Sequence, residues 1–365
     1  MQVVLATTAT GTGGVWRHLM DLAEGLGARG WEVEIGLPDS AGDLRRRSTA
    51  AGFGVCGVLP RSRPDVWHLH LGNTYDPSAL GAVAVARARA SSVLLTEHLP
   101  RSDASDPGAR RGTDRATPGA RAAKTAFKRT QYALCDRVVC VSEASHRFVL
   151  DRYGVAPGKV VTVPNGVGPA PAPAGWPEGP PRFVAIGSVI VQKGFDVLVE
   201  AAAEAQAPWS VDVVGDGPHL PHLRARADWL GVPVRFLGHR DDVGTVLAGA
   251  TALVVPSRWE ASSYVAMEAM QAGRAVVASR VDALPEIVED GVTGLLVEPE
   301  DARALARALD RLAGDRARAE TMGKEGYRRV AGFRLDAMVD GLVDLYRDIR
   351  RPRRLGSRLD VAHAA

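Results

Sequence analysis

A proline-rich stretch divides the chain into two parts that share one strand and helix rhythm. Residues 163–181 read VPNGVGPAPAPAGWPEGPP, with seven prolines in nineteen positions. Proline has no backbone N–H and does not fit the interior of a helix or the centre of a sheet. The stretch therefore predicts a linker, and the alternation of strands and helices on either side predicts parallel sheets covered by helices on both faces.

The expected architecture is α/β, with two Rossmann-like, doubly wound parallel-sheet domains that face each other across a cleft. The predicted order is a first domain at 1–168, a Pro-rich linker at 169–181, a second domain at 182–335, a C-terminal helix at 336–349 and a basic tail at 350–365. Predicted strands are 1–6, 32–37, 66–71, 92–96 and 137–141 in the first domain, and 182–186, 211–214, 234–237, 252–255 and 275–278 in the second. Ligands of such sheets bind beyond the carboxyl ends of the strands, so a long ligand would lie between the domains.

Composition narrows the class of protein. The 365 residues carry 45 Lys and Arg against 42 Asp and Glu, a formal charge of +3, which provides no broad basic surface for nucleic acid. No apolar run approaches the roughly 18 residues of a membrane-spanning helix, and the N-terminus lacks a signal-peptide pattern. Three cysteines (Cys56, Cys135 and Cys140) give no disulfide framework. We expect a cytoplasmic protein, a monomer or homodimer, without a nucleic-acid partner.

Glycines follow the first predicted strand. Gly11, Gly13 and Gly14 precede a segment of helical period, where the backbone can approach a ligand and the helix N-terminus offers free N–H groups to an anion. A tight turn between strand and helix explains the same residues equally well. The dinucleotide fingerprint G-x-G-x-x-G fails because Trp16 occupies the third glycine position, so NAD binding is not favoured.

The densest group of reactive side chains lies at 256–273, which reads PSRWEASSYVAMEAMQAG. We expect Glu260 in the loop after a strand and Glu268 in the helix that follows. Eight residues of helix span about 12 Å, too far for one acid and base pair. The two carboxylates suit hydroxyl groups at two ends of one ligand, with the amides near Ser262, Ser263 and Tyr264 holding an anion between them. The alternative is a solvated helix with scattered acids.

A lysine and two histidines end other predicted strands. Lys193, one of five lysines, follows the first strand of the second domain, where a point charge would neutralise a diphosphate. An exposed loop lysine is the alternative. His70 and His98 lie at the ends of two strands and should face the cleft, unless they are structural histidines. No group of His, Cys and Asp has metal-ligand spacing, so no metal site is predicted.

The motifs occur in an order that resembles the family-four retaining glycosyltransferases of the GT-B fold. They are GTGGVWRHLMDLAEGLGARGWEV, DVWHLHLG and VPNGV in the first domain, followed by QKGFD, VVGDG, FLGHR, the Glu-x7-Glu segment and LPEIVEDGVTGLLVEPED in the second. Each motif is weak alone, but the ordered set over residues 1–349 is specific. The resemblance implies two Rossmann-like domains and a C-terminal helix that crosses back onto the first.

The resemblance also implies roles for single residues. His98, Lys193 and Glu260 are the implied catalytic residues, near the transferred sugar, on the diphosphate and on the sugar hydroxyls, respectively. Glu268 would hold the ribose. The implied donor-binding residues are Gly13, Gly14, Ser188, Lys193, His239, Arg240, Ser262, Ser263, Tyr264 and Glu268.

Three places in the sequence depart from the family pattern. Ser188 stands where the family usually has an arginine on the diphosphate, so one of two cations is missing unless Arg258 replaces it. A charge-assisted hydrogen bond contributes roughly 1.5–3 kcal/mol, so donor affinity would fall without a replacement. The segment 261–263 replaces Gly-Phe-Gly and reshapes the sugar pocket, and Asp282 with Ala283 replaces Gly-Gly.

The implied reaction is transfer of a hexose or N-acetylhexosamine from a nucleoside-diphosphate sugar, which we expect to be a UDP-sugar, to an acceptor hydroxyl. The anomeric configuration is retained, a donor phosphate oxygen takes the proton, and no metal or cofactor takes part. The rival classes are a nucleotide-sugar epimerase, a phosphorylase and a non-catalytic sugar-nucleotide binder.

The acceptor is the least readable part of the sequence. Residues 99–134 carry eight basic and three acidic side chains, which suit either an acceptor lid, an anionic lipid surface or a mobile loop before a solvated helix. His70 and Arg101 are the predicted acceptor contacts. A small polar acceptor, in specialised-metabolite or glycoconjugate biosynthesis, is preferred over a lipid-linked acceptor at a membrane surface.

Overall fold

The computed structural model describes residues 1–59, 63–72, 75–90, 92–99, 118–173 and 175–350. They form two parallel sheets, which confirms the predicted α/β class. The first sheet contains β1 (Gln2–Thr7), β2 (Glu32–Gly36), β3 (Gly54–Cys56), β4 (Val66–Leu71), β5 (Ser92–Glu97), β6 (Arg137–Cys140) and β7 (Val160–Thr162). Its strand order is β3-β2-β1-β4-β5-β6-β7, and every pairing is parallel.

The second sheet repeats this arrangement after the linker. It contains β8 (Arg182–Ile186), β9 (Ser210–Val214), β10 (Val234–Gly238), β11 (Ala252–Val255), β12 (Ala275–Ser279) and β13 (Gly294–Val297). The order β10-β9-β8-β11-β12-β13 is the doubly wound order of dinucleotide-binding sheets, with all pairings parallel. The strand order reverses between β1 and β4 in one sheet and between β8 and β11 in the other, and ligands bind at such points.

Helices cover both faces of each sheet. In the first domain they are α1 (Gly14–Ala28), α2 (Gly42–Ala50), α3 (Pro77–Arg89), α4 (Pro118–Leu134) and α5 (Glu143–Tyr153). In the second they are α6 (Phe195–Ala203), α7 (Leu220–Leu230), α8 (Val243–Ala248), α9 (Tyr264–Gln271), α10 (Leu284–Ile287), α11 (Ala302–Gly314) and α12 (Arg316–Val330), and α13 (Leu335–Arg350) ends the described chain. Each sheet has one apolar core on each face. Burial of both faces explains why β4 reads as a continuous apolar run interrupted only by histidines.

The sequence located most strands but missed three. The bounds of β4, β8 and β11 agree with the predicted ranges, whereas β3, β7 and β13 were not predicted. These three contain only three or four residues each, and all lie at a sheet edge. Edge strands this short show too few residues for a period to be read.

The last helix packs on the first domain. Met338, Val339, Leu342 and Tyr346 of α13 are buried in the core that also contains the apolar face of α1. Beside it, the chain crosses between the domains twice at one place, because Val167 pairs with Arg334 in an isolated bridge. A Cβ on Gly166 would lie 2.3 Å from the Arg334 carbonyl oxygen, so only glycine allows the two crossings to touch.

Candidate functional site

A cavity of about 520 Å³ opens between the two domains at both points of strand-order reversal. The loop after β1 forms one side, and the loops after β8 and β11 form the other. Residues that line it include Thr12, Gly13, Gly14, Arg17 and His98 from the first domain, and Ser188, Lys193, Glu260, Ser262, Ser263, Tyr264 and Glu268 from the second. The structure therefore brings together most of the site residues that the sequence singled out.

Lys193 and Glu260 form an ion pair in this cavity. The Lys193 Nζ atom lies 2.6 Å from Glu260 Oε2, and the two side chains are 22% and 8% exposed. Gly194 follows the lysine with φ 65°, and a Cβ there would lie 2.0 Å from the Pro256 carbonyl oxygen. Glycine thus lets the β8 loop touch the β11 loop, which places the cation against the carboxylate.

The backbone of Glu260 is also fixed. Its N–H donates to Asp282 Oδ2 at 2.9 Å, and Ser257 Oγ donates to Glu260 Oε2 at 3.2 Å. Asp282 has φ 43°, a left-handed conformation that usually favours glycine. The departure from the family's Gly-Gly therefore has a structural counterpart, since the aspartate side chain holds the loop that carries Glu260.

Glu268 is paired across the cleft. It lies on α9 in the second domain and accepts a hydrogen bond from the Arg17 guanidinium on α1 of the first domain. The guanidinium carbon of Arg17 also lies 5.0 Å from the centroid of the Tyr264 ring, within the range of a cation–π contact. The sequence did not single out Arg17, because the helical period of α1 is visible only in the spacing of its apolar residues.

The amino end of α9 faces the same cavity. Ser263 is its N-cap residue and makes no side-chain capping bond, and among the described residues its buried Oγ has no hydrogen-bond partner. The first N–H groups of a helix have no intrahelical acceptor. Ser262, Ser263 and Tyr264 therefore offer donors to the cavity that Lys193 also lines, and their role in holding an anion stays a prediction.

Three histidines form a group behind the glycine loop. His18 comes from α1, His70 from the end of β4 and His98 from the residue after β5. One ring nitrogen from each lies within 4.8 Å of the others, so these residues could hold a metal ion. The sequence missed the group because its members are far apart in the chain, although His18 lies on the buried face of α1 with Leu19 and Leu22.

The histidines are held neutral by burial. Desolvation lowers the pKa of His18 to about 4 and that of His68, which lies beside the group, to about 3. It also holds the pKa of His70 and His98 well below the ordinary value. At neutral pH the first-domain wall of the cleft therefore presents the uncharged imidazole of His98, with those of His18 and His70 buried behind it.

Other predicted site residues lie elsewhere. His70 is fully buried, beneath the cavity lining rather than in it. His239 and Arg240 face Asp241 and Asp242 in an exposed loop outside the lining. Arg101 lies outside the described residues.

Arg258 does not replace the missing diphosphate cation. Its guanidinium donates to both carboxylate oxygens of Asp196 at 2.8 Å, to Glu300 at 3.2 Å and to the Val191 carbonyl at 2.7 Å. The side chain is 5% exposed and lies outside the cavity lining. Ser188 does line the cavity but carries no charge.

Two family models match consecutive parts of the chain. Residues 12–170 match the model of Glycosyltransferase Family 4, and residues 180–315 match that of Glycosyl transferases group 1. The chain belongs to the family-four glycosyltransferases. The predicted recognition is therefore confirmed, and the boundary between the two matches falls in the proline-rich stretch.

The chain matches individual relatives over only part of its own length and part of theirs. The chain is 31% identical over 248 residues to an exopolysaccharide phosphotransferase of Streptomyces coelicolor, covering 62% of this chain and 25% of that protein. It is 32% identical over 249 residues to a D-inositol 3-phosphate glycosyltransferase of Thermobifida fusca, covering 61% and 57%, respectively. The matches thus span between a quarter and about three fifths of these relatives.

The fold is similar to that of a solved GT-B structure. Anabaena HepE in complex with UDP superposes with a TM-score of 0.76 at 17% identity, covering 95% of this chain and 100% of that one. This likeness confirms the predicted fold class. Within the part of the chain that the structure describes, no helix is both long and apolar enough to cross a membrane.

Proposed function

We propose that this protein is a retaining glycosyltransferase that moves a hexose or N-acetylhexosamine from a UDP-sugar to a hydroxyl group of a small polar acceptor. The observation that carries the proposal is the cleft at the two strand-order reversals, where Lys193, Glu260 and the amino end of α9 converge. A cation and helix amides suit a diphosphate, and carboxylates suit sugar hydroxyls.

The charged groups that line the cleft neutralise each other in two pairs. Lys193 binds Glu260, and Arg17 binds Glu268. A nucleoside-diphosphate sugar carries both an anion and hydroxyl groups, so it satisfies both members of each pair at once. On donor binding, each carboxylate would turn to hydroxyls of the sugar or ribose while each cation turns to the diphosphate.

Arg17 is our candidate for the second diphosphate cation. It lines the cavity, comes from the opposite domain, and its side chain is 38% exposed, whereas Arg258 is saturated by acceptors. An arginine supplied by the first domain would make the donor bridge both domains. This accounts for a diphosphate site in which Ser188 supplies no charge.

The proposed chemistry is front-face transfer. The acceptor hydroxyl forms a bond to the anomeric carbon from the side on which the bond to the diphosphate breaks, and a diphosphate oxygen takes the hydroxyl proton. The protein contributes by positioning the reactants and stabilising the charge on the leaving group, through Lys193, Arg17 and the α9 amides. These groups require no metal ion or cofactor, and His98 lies in the lining where it would contact the transferred sugar.

The acceptor assignment is supported by the relative that is named for inositol 3-phosphate, a small polar acceptor. Arg101 stays a predicted acceptor contact, whereas the burial of His70 outside the cavity lining does not favour contact with an acceptor. We place the reaction in the cytoplasm, in keeping with three free, buried cysteines, and expect a monomer or homodimer.

The first test is thermal unfolding in the presence of UDP, GDP, ADP, dTDP and CDP. A ligand at 100 times its Kd stabilises the native state by about 2.7 kcal/mol, which raises the midpoint by several degrees. We expect UDP to give the largest shift. Equal midpoints with all five nucleotides and with buffer would contradict a nucleotide-sugar site.

A further inference from the structure

The three clustered histidines have the spacing of imidazole ligands around one metal ion. Their ring centroids lie 5.1 Å apart for His18 and His70, 4.8 Å for His18 and His98, and 5.6 Å for His70 and His98. With Zn–N bonds of about 2.0 Å, the centroids of imidazoles at tetrahedral positions lie about 5 Å apart. To bind one ion, the three imidazoles therefore require small ring rotations and no rearrangement of the backbone.

Two ring nitrogens of this group lack hydrogen-bond partners. His18 Nε2 and His70 Nε2 are buried and, among the described residues, have none. The other nitrogen of His18, Nδ1, lies 2.9 Å from Asn165 Oδ1 and 3.3 Å from the Tyr264 hydroxyl; in the tautomer that donates from Nδ1 to Asn165 Oδ1, Nε2 keeps its lone pair. A buried lone pair without a partner is costly, and a metal ion would satisfy that of His18 Nε2.

The surroundings fix which histidines take part. His68 is excluded because its two nitrogens are bonded to the Tyr346 hydroxyl at 2.6 Å and to Thr96 Oγ1 at 2.7 Å. His70 Nδ1 lies 3.3 Å from His98 Nε2, about the separation of two nitrogen ligands of tetrahedral zinc, so these two atoms bind the ion in place of their mutual hydrogen bond while His70 Nε2 carries the proton. Asn165 orients His18 through its second nitrogen, as outer partners of metal-binding histidines do.

We propose that His18, His70 and His98 bind a zinc ion, or another divalent ion that prefers imidazole, in the first-domain wall of the cleft. Three neutral nitrogen ligands leave a fourth position for water, and His98 lines the cavity, so the ion enters from the cleft. Because the ion occupies the His98 lone pair, it inhibits transfer. This consequence rests on the proposed function, whereas binding of the ion does not.

The experiment is titration of the full chain, without a histidine tag and after removal of metal ions, with Zn²⁺ by calorimetry and with Co²⁺ by visible absorption. We expect one ion per chain and the intense visible bands of four-coordinate Co²⁺. His18→Asn and His98→Asn should each weaken binding at least tenfold. His222→Asn, which removes an exposed histidine of α7, should leave binding unchanged.

Unaltered zinc affinity in both His18→Asn and His98→Asn, or loss of zinc binding in His222→Asn, would overturn the site. Should His18→Asn or His98→Asn fail to fold, the Co²⁺ spectrum of the unaltered chain tests the site by itself. Weak octahedral bands would contradict a four-coordinate ion held by three imidazoles. If the protein binds zinc but transfers no sugar under any condition, the metal site stands and the proposed function fails. If zinc binds and leaves transfer intact, the inhibition is wrong.

Discussion

The second-domain wall of the cleft presents an ion pair and helix amides, whereas the first-domain wall presents neutral imidazoles behind a glycine loop. We call the second-domain side the charged wall, which is suited to a diphosphate. We call the first-domain side the neutral wall, which is suited to hydroxyl groups. Arg17 is the exception, since it reaches from the first domain to Glu268 in the second. Under the proposed function, the contrast divides donor binding and acceptor binding between the domains, with Arg17 as a cation shared across the cleft.

The largest expected effect is on the charged wall. Glu260→Gln removes the charge that pairs with Lys193 and is expected to lower turnover roughly 10²–10³-fold, as loss of one group that stabilises a transition state does. Nucleotide binding should survive, because the proposed contact of Glu260 is with the sugar and not with the nucleotide. Turnover and UDP affinity are measured on the same preparation.

The matched control is Glu200→Gln, which removes a carboxylate that pairs with Arg226 outside the cleft lining. It should keep full activity. Full activity in Glu260→Gln would instead show that Glu260 has no role in the site, and it would contradict the assignment of different roles to the two walls.

The neutral wall predicts a loss of stability in acid. The pKa of His18 is lowered by burial to about 4 and that of His68 to about 3, against about 6.5 in the unfolded chain. Below pH 6.5 the unfolded chain binds more protons than the native protein, so the free energy of unfolding falls as pH falls. The slope is about 1.4 kcal/mol per pH unit for each histidine, or about 2 kcal/mol each between pH 6.5 and 5.

Urea unfolding at pH 7.5, 6.5, 5.5 and 5.0, with a chelator present, measures this slope. His18→Asn should reduce it by one histidine, and the exposed-site variant His222→Asn should not. A free energy of unfolding that is constant over this range would show that the imidazoles take up protons in the native protein as they do in the unfolded chain.

The shared cation gives the next effect. Arg17→Met is expected to weaken UDP binding about 10–100-fold, because a hydrogen bond to a charged group contributes about 1.5–3 kcal/mol. Binding of uridine, which lacks the diphosphate, should change little. Arg46→Met, at an exposed arginine paired with Asp43, is the control.

A second substitution sharpens the same assignment. Ser188→Arg, introduced into Arg17→Met, places a cation on the lining from the second domain and should restore most of the lost UDP affinity. If Arg17→Met binds UDP as tightly as the unaltered protein, then the two walls do not share the diphosphate.

The smallest effect concerns α13. Arg29 on the first domain contacts Asp340 at 2.8 Å and Asp336 at 3.1 Å, and both aspartates are exposed. Exposed ion pairs contribute little, so Arg29→Met should lower the free energy of unfolding by about 0.2–1 kcal/mol in urea. A loss of several kcal/mol would show that charges, not the buried side chains of α13, hold the helix to the first domain.

The sequence predicted the charged wall better than the neutral wall. Lys193, Glu260 and Glu268 follow readable strands and lie within ordered motifs, so their place at the sheet edges could be inferred from the strand and helix rhythm. The pairing of Arg17 with Glu268 joins residues 251 positions apart, and no period or motif carries that contact. His18 was missed for a different reason: its position on the apolar face of α1 was visible, but a histidine there reads as part of the core.

The most direct test of the account is ¹H NMR of the protein with UDP-glucose, first with water and then with myo-inositol as acceptor. We predict release of UDP, an α-configured sugar as the first product before mutarotation, and loss of both signals in Glu260→Gln. A β-configured first product would contradict retention. Binding of UDP-glucose without release of UDP, both in water alone and with myo-inositol, would contradict transferase activity.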